Sequence, residues 1–418
     1  MKTFFKVVLN GLLFIIAGVI VFTTYQFNTY TPHAVTQIAN PTDLKYFQES
    51  YVDCRRHFID EADKIKETYK EVQISALKIE SLVDPDLTID YCYIPAQKSF
   101  KRLLILTSGV HGIEGYVGSA VQQMFLSEQV KENSLDELGV LIIHAINPYG
   151  FKYQRRVTEN NVDLNRNSST DNSLFKSVNK GYNDLNAFLN QKQKVSLTSF
   201  GHFFFQITAI QKIIRHSMGT LRQAVLQGQY QYEKGIYFGG KALEPSVKIL
   251  TPLIQQIAEP YDMVFNIDLH TGYGENGTLH LFPNPIKDEK KKAMIETIFS
   301  GNSIDWGDKE DFYTVTGDFS TYLGDIIPEK LFLNMAFEFG TLDTQTTLGA
   351  IKALHNVVIE NQGVQYGYRS EKDEKEVKSR YLAGYYPSSE AWRSKAVEDA
   401  RQTLLQAIKK YRETNIRE

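Results

Sequence analysis

The sequence predicts an α/β fold, a mixed, mostly parallel twisted sheet flanked by helices on both faces, and three observations predict it. RLLILTSG (102–109), GVLIIHAINP (139–148) and YDMVFNIDLH (261–270) are continuous apolar runs of the kind found in strands covered on both sides. Between the first two lies GYVGSAVQQMFLSEQV (115–130), whose apolar residues recur at helical spacing, so the order is strand, helix, strand. TLHLFP (278–283) and LFLNMAFEFG (331–340) extend the series, again with helical segments between them.

At the N-terminus, Lys2 and Lys6 precede the uncharged run VVLNGLLFIIAGVIVF (7–22), which is apolar all round rather than on one face. Residues 1–28 therefore read as a signal-anchor or a signal peptide. The sequence that follows, TTYQFNTYTPH, has no small-x-small cleavage pattern, which favours an uncleaved membrane-anchor helix. The two lysines favour a cytoplasmic N-terminus, placing the remainder outside a cytoplasmic (inner) membrane, in the periplasm, as a single-pass protein; secretion after cleavage is the alternative.

Residues 29–41 read as a linker and 42–418 as one domain. Its first segment, 43–69, carries aromatic and aliphatic residues at helical spacing among charges. VQISALKIE (72–80) and LTIDYCYIP (87–95) alternate apolar and polar residues, as half-buried strands do. An insertion spans about 168–259 and includes one helix over FFFQITAIQKIIRHSMGTLRQAVLQ (203–227), placed to shape or cover a pocket. The chain closes on an amphipathic helix that opens at cap-forming serines, Ser388 and Ser389.

The net charge of -3 is spread along the chain and gives no electrostatic reason to expect nucleic acid as a partner. Two cysteines, Cys54 and Cys92, exclude a cysteine-rich zinc framework and allow at most one internal disulfide. Neither a phosphate-binding G-x-x-x-x-G-K-[ST] loop nor an H-E-x-x-H helix is present.

Chemistry concentrates at strand ends. His111 and Glu114 share a glycine-studded turn after the first apolar run, and His270 ends another. Open α/β sheets build their sites at that edge, and two histidines with one carboxylate suit a catalytic zinc with a position left for water. Arg155, Arg156 and Arg166, with Asn165 beside the last, lie in a polar, turn-rich stretch and can clamp a carboxylate or polarise a carbonyl. Glu338 lies inside an apolar strand, where an ionised carboxylate is costly without a cation or hydrogen bonds; it suits a general base or a structural ion pair.

The succession H-x-x-E (111–114), NPYGF (147–151), R-x(4)-NVDLNRN (156–167), DLHTG (268–272) and FEFG (337–340) resembles the zinc carboxypeptidase family, in particular its bacterial branches, and implies a zinc-carboxypeptidase-like fold. It covers His111 to Asp343, more than half the chain. The resemblance implies zinc (Zn2+) held by His111, Glu114 and His270, with Asp163 orienting a ligand histidine. It implies Glu338 as the base that takes a proton from the attacking water and delivers it to the departing amine, and Arg156 as the oxyanion-stabilising arginine, with Arg155 as fallback.

By the same resemblance Asn165 and Arg166 bind the substrate's terminal carboxylate, and Tyr313 closes over the substrate, with Tyr322 competing for that role. The implied activity is hydrolysis of a C-terminal peptide bond. Alternatives are an aspartoacylase-like deacylase acting on N-acyl amino acids and a binding protein without turnover. The expected partners are a peptide or N-acyl amino acid and, through the N-terminal helix, a membrane.

Overall fold

The longest apolar runs pair side by side at the centre of a seven-stranded sheet in the computed structural model, which describes residues 1–69, 71–132, 134–306 and 315–415. The strands are β1 (Gln73–Lys78), β2 (Thr88–Ile94), β3 (Arg102–Ser108), β4 (Leu138–His144), β5 (Met263–Thr271), β6 (Leu279–Phe282) and β7 (Leu331–Phe339), in the spatial order β1-β2-β4-β3-β5-β7-β6. β4, β3, β5 and β7 are mutually parallel; β1, β2 and β6 join through antiparallel pairings. This is the mixed α/β architecture expected from the sequence. β2 departs from expectation: it is almost wholly buried rather than half-buried, because it lies inside the sheet between β1 and β4 and takes helices on both faces.

The principal helices begin with α1 (Lys2–Asn28), α2 (Tyr51–Ile65) and α3 (Gly115–Met124). Then come α4 (Lys180–Leu189), α5 (Phe205–His216), α6 (Met218–Leu226), α7 (Pro245–Ala258) and α8 (Glu289–Ile298). The last four are α9 (Phe319–Ile326), α10 (Thr347–Tyr366), α11 (Glu371–Ala383) and α12 (Glu390–Glu413). Phe58 of α2, Val121 of α3 and Leu404 of α12 pack with Leu104, Ile142 and Phe265 on one sheet face, while Leu250 of α7 and Leu323 of α9 pack with Ile105, Leu141 and Val264 on the other. Side chains alternate across a strand, so each central strand must be apolar on both sides to feed both layers.

A third apolar cluster lies beyond the sheet and is built by α4, α5, α6 and α10. The single helix expected over 203–227 is two, broken at Ser217, whose φ of 67° no helix accommodates and whose side chain accepts a hydrogen bond from the Thr220 amide of the second. α12 starts as expected, with Ser389 accepting from the Trp392 amide.

α1 contains the one helical stretch among the described residues, Phe4–Asn28, that is long and apolar enough to cross a membrane. Its last turn belongs to the globular part. Phe27 is fully buried, its ring 6.4 Å from that of Phe205, and Gln206 donates to the Thr24 hydroxyl at 2.7 Å. Residues 29–41 then run along the surface, tied by His33 N to Asp343 and Asn40 N to Ser394. Both cysteines are buried free thiols.

Candidate metal centre

β3 ends at Ser108, and the chain turns through Gly109, at φ 65°, into the single helical turn Gly112–Glu114. Glycine is required at 112, where a Cβ would stand 2.1 Å from the carbonyl carbon of Gly150. That close approach lets Gly112 N and Ile113 N donate to the carbonyls of Arg156 and Arg155, which fixes the arginine segment against the turn. His111 and Glu114 are thereby held over the C-terminal edge of the sheet beside His270, which comes from the neighbouring strand β5.

One carboxylate joins the two imidazoles. Glu114 Oε1 is 2.8 Å from His111 Nδ1, and Oε2 is 2.9 Å from His270 Nδ1 and accepts from the Thr271 amide at 3.1 Å. All three groups are buried, and their candidate ligand atoms lie within 4.8 Å of one another. Burial works to raise the Glu114 carboxyl, but the histidines hold it well below its usual range. Two imidazoles and a carboxylate converging in this way form a donor set that fits a zinc ion.

The outer ring nitrogens face further carboxylates. His270 Nε2 donates to Asp268 Oδ2 at 2.8 Å, and Asp163 Oδ1 lies 3.3 Å from His111 Nε2. Such partners fix the tautomer and ring orientation of a ligating histidine. Burial opposes the charge on His270, but Asp268 and Glu114 raise its pKa well above the ordinary value.

Glu338 is paired in register with His270 across β5 and β7. Its Oε1 accepts from the Tyr273 amide at 2.9 Å, and it lines the same cavity as His111 and Glu114. The enclosing protein, and then the negative charge of Glu114, push its carboxyl up to about 8.

Arg156 also lines this cavity, with Nε 2.9 Å from Asp163 and Nη1 3.6 Å from Glu114. Burial costs the Asp163 carboxylate, but Arg156 and His111 keep it ionised. Arg155 lies elsewhere, in a buried ion pair with Glu360 at 2.9 Å and in hydrogen bonds to Asn161 and Asn361.

Arg166 lines the cavity while its Nε and Nη1 donate to the carbonyls of Leu226 and Asn165. Asn165 does not reach the cavity wall; its Oδ1 accepts from the Phe319 amide at 3.0 Å and so fixes the start of α9. Tyr322 is buried under α7, bonded to Thr251 at 2.7 Å, where it cannot act as a mobile loop tyrosine. Tyr313 lies outside the described residues.

Three site residues were given no role from the sequence. Tyr237 lies beneath both arginines, 5.3 Å from Arg156 and 5.8 Å from Arg166. Tyr385 lines the cavity next to Arg156, and burial raises its phenol. Asp268 was legible in principle: it lies two residues before His270, and a strand places i and i+2 on one face.

The cavity, about 220 Å³, extends from these polar groups between α4, α5, α6 and α10, where its wall is predominantly aliphatic.

A family model described as "Protein of unknown function (DUF2817)" matches residues 47–399. No curated protein matches the sequence. Solved structures similar to the chain include bovine thrombin-activatable fibrinolysis inhibitor in complex with tick carboxypeptidase inhibitor, at 12% identity and TM-score 0.40, covering 81% of this chain and 97% of that one. Another is a metallo-carboxypeptidase from Burkholderia cenocepacia, at 13% identity and TM-score 0.37, covering 76% and 70%. A third is an aspartoacylase family protein from Mesorhizobium loti, at 13% identity and TM-score 0.32, covering 72% and 68%.

Proposed function

This chain belongs to the DUF2817 family, whose description carries no activity, so we propose its function from the site itself: a zinc-dependent metallocarboxypeptidase that hydrolyses the amide bond of a carboxylate-terminated substrate. The observation that carries this reading is the convergence of His111, Glu114 and His270 beside a cavity that Glu338 and Arg156 also face.

His111, Glu114 and His270 would hold the ion, with Asp163 and Asp268 orienting the imidazoles. Bound zinc supplies Lewis acidity to the scissile carbonyl and makes water a better nucleophile at neutral pH. Glu338 accepts a proton from the attacking water and returns it to the departing amine, a role open to a carboxylate that is held by one backbone amide and otherwise faces the cavity. Arg156, fixed by Asp163 and supported by Tyr237, presents positive charge to the developing oxyanion. Arg166 meets the substrate's terminal carboxylate, and Asn165 contributes by positioning Arg166 and α9.

Residues 1–28 anchor the protein as a single pass in the cytoplasmic membrane, with residues 42–418 as the catalytic domain on the extracytoplasmic side. Secretion after signal cleavage is the alternative.

The aliphatic cavity wall favours a second substrate for the same chemistry, an N-acyl amino acid, which also presents an amide beside a terminal carboxylate. Zinc-loaded full-length protein is offered free-acid peptides and N-acyl amino acids side by side. Release of a C-terminal residue from the peptides supports the carboxypeptidase reading, and cleavage of the acyl compounds alone supports the deacylase. Failure to cleave either class, or cleavage that survives metal removal, overturns the proposed chemistry.

A further inference from the structure

The cavity runs from the polar centre into a wall made by the insertion and α10, including Leu185, Leu189, Ile213, Leu221, Val225 and Leu354. Apart from Glu114 and Glu338 its lining among the described residues holds no acidic side chain, and the charges the insertion adds to the wall are cationic, Lys212 and Arg222. Its volume of about 220 Å³ exceeds the roughly 150 Å³ at which an aliphatic cavity already admits benzene. The space is therefore larger than one aromatic side chain needs.

The same wall adjoins the N-terminal helix. About twenty residues of helix cross the roughly 30 Å of a bilayer's hydrocarbon. Counted from Phe4, that length ends near Thr24, the residue at which α1 becomes buried against α5. Asn28 donates to the Phe203 carbonyl, and exposed apolar side chains cluster in this region of the chain, with Phe200 and Ile214 each 81% exposed. α5 thus carries cavity-lining residues, Ala209 and Ile213, on a helix that also meets the end of the candidate membrane span.

We infer that the cavity between α4, α5, α6 and α10 is an acyl-chain site, and that the substrate is an anionic amphiphile, a long-chain N-acyl amino acid drawn from the membrane surface, with its amide at the His111–Glu114–His270 centre. The inference rests on the amide-hydrolase reading above for the reaction, but not for the binding. A hydrocarbon tail fills the aliphatic wall at little cost when it comes from lipid, and Arg166, which lines the same cavity near the metal centre, meets the negative headgroup.

The test separates binding from turnover. Full-length Glu338→Gln in lipid nanodiscs is photolabelled with a diazirine-bearing N-palmitoyl glycine, and the labelled peptides are mapped by mass spectrometry. Labels on the cavity residues of α4, α6 and α10, competed by unlabelled N-palmitoyl glycine, support the site; labels confined to α1 and the exposed apolar residues near it overturn it.

In parallel, KM is measured for zinc-loaded wild type with soluble N-acyl glycines of two to ten carbons. Each added methylene is expected to lower KM by up to about fourfold, and Ala209→Trp to reduce that dependence by filling the cavity. A chain-length-independent KM overturns the acyl site even where turnover is good. Specific cavity labelling without any amide cleavage supports the site and rejects the reaction instead.

Discussion

Asp268 and His270, two residues apart on β5, share one face of the strand and a 2.8 Å hydrogen bond, so the imidazole that faces Glu114 is held from behind by its own strand. A histidine braced in this way keeps one tautomer and one orientation for a metal. Asp268→Asn is expected to weaken zinc affinity by roughly 10- to 100-fold, read by competition with a chromogenic chelator. Unchanged affinity would show that the hydrogen bond does not serve the metal.

Glu338→Gln keeps the shape of the site and removes its base. Turnover is expected to fall by about 10²- to 10⁴-fold with zinc content unchanged. Near-wild-type kcat in a fully zinc-loaded variant would remove Glu338 from the proton transfer.

The adjacent arginines are expected to fail in opposite ways. Arg155→Ala strands the buried Glu360 carboxylate and is expected to cost about 3–5 kcal/mol of stability, with little change in kcat/KM per folded, zinc-loaded molecule. Arg156→Ala is expected to lower kcat/KM by roughly 10²- to 10³-fold. Denaturant unfolding and steady-state kinetics on both variants decide it; the reverse pattern would exchange their roles.

His144 ends β4, fully buried against Phe58 with ring centroids 4.8 Å apart. Burial, and then the charge of Arg55, lower its pKa to about 3. Because the folded-state pKa is depressed, the unfolded chain takes up the proton first. Stability is therefore complete above the unfolded value near 6.5 and falls as pH drops toward 3, by up to about 1.4 kcal/mol per pH unit. Denaturant midpoints at pH 7, 5 and 4 should show this decline, and His144→Gln should flatten it. An equal decline in the variant would assign the loss to other groups.

β3, β4, β5 and β7 were legible because buried parallel strands must be apolar on both faces, and uninterrupted apolar runs of that length are hard to mistake; β1 and β2 showed instead by alternation of apolar and polar residues. The convergence of His111, Glu114 and His270 was legible for a related reason: His111 follows one such run and His270 ends another, and the sheet brings strand ends together. Ser217 was not, since the chain breaks a helix there without glycine or proline. Tyr237 and Tyr385 come from irregular segments with no periodicity to mark them. The apolar stripes of α4, α5 and α10 are indistinguishable in sequence from stripes that merely fill a core; only their three-dimensional arrangement leaves space between them.

Phe27 completes a core cluster from the final turn of the apolar N-terminal helix. Trimming the leader beyond that residue would extract a buried ring from the third layer, so a processed form would be less stable, and one retaining the helix has no slack tether. Seated in a bilayer, such a domain could not swing on a leash; the mouth of its cavity would stay at one height above the lipid, as a fixed tool rest does above the work.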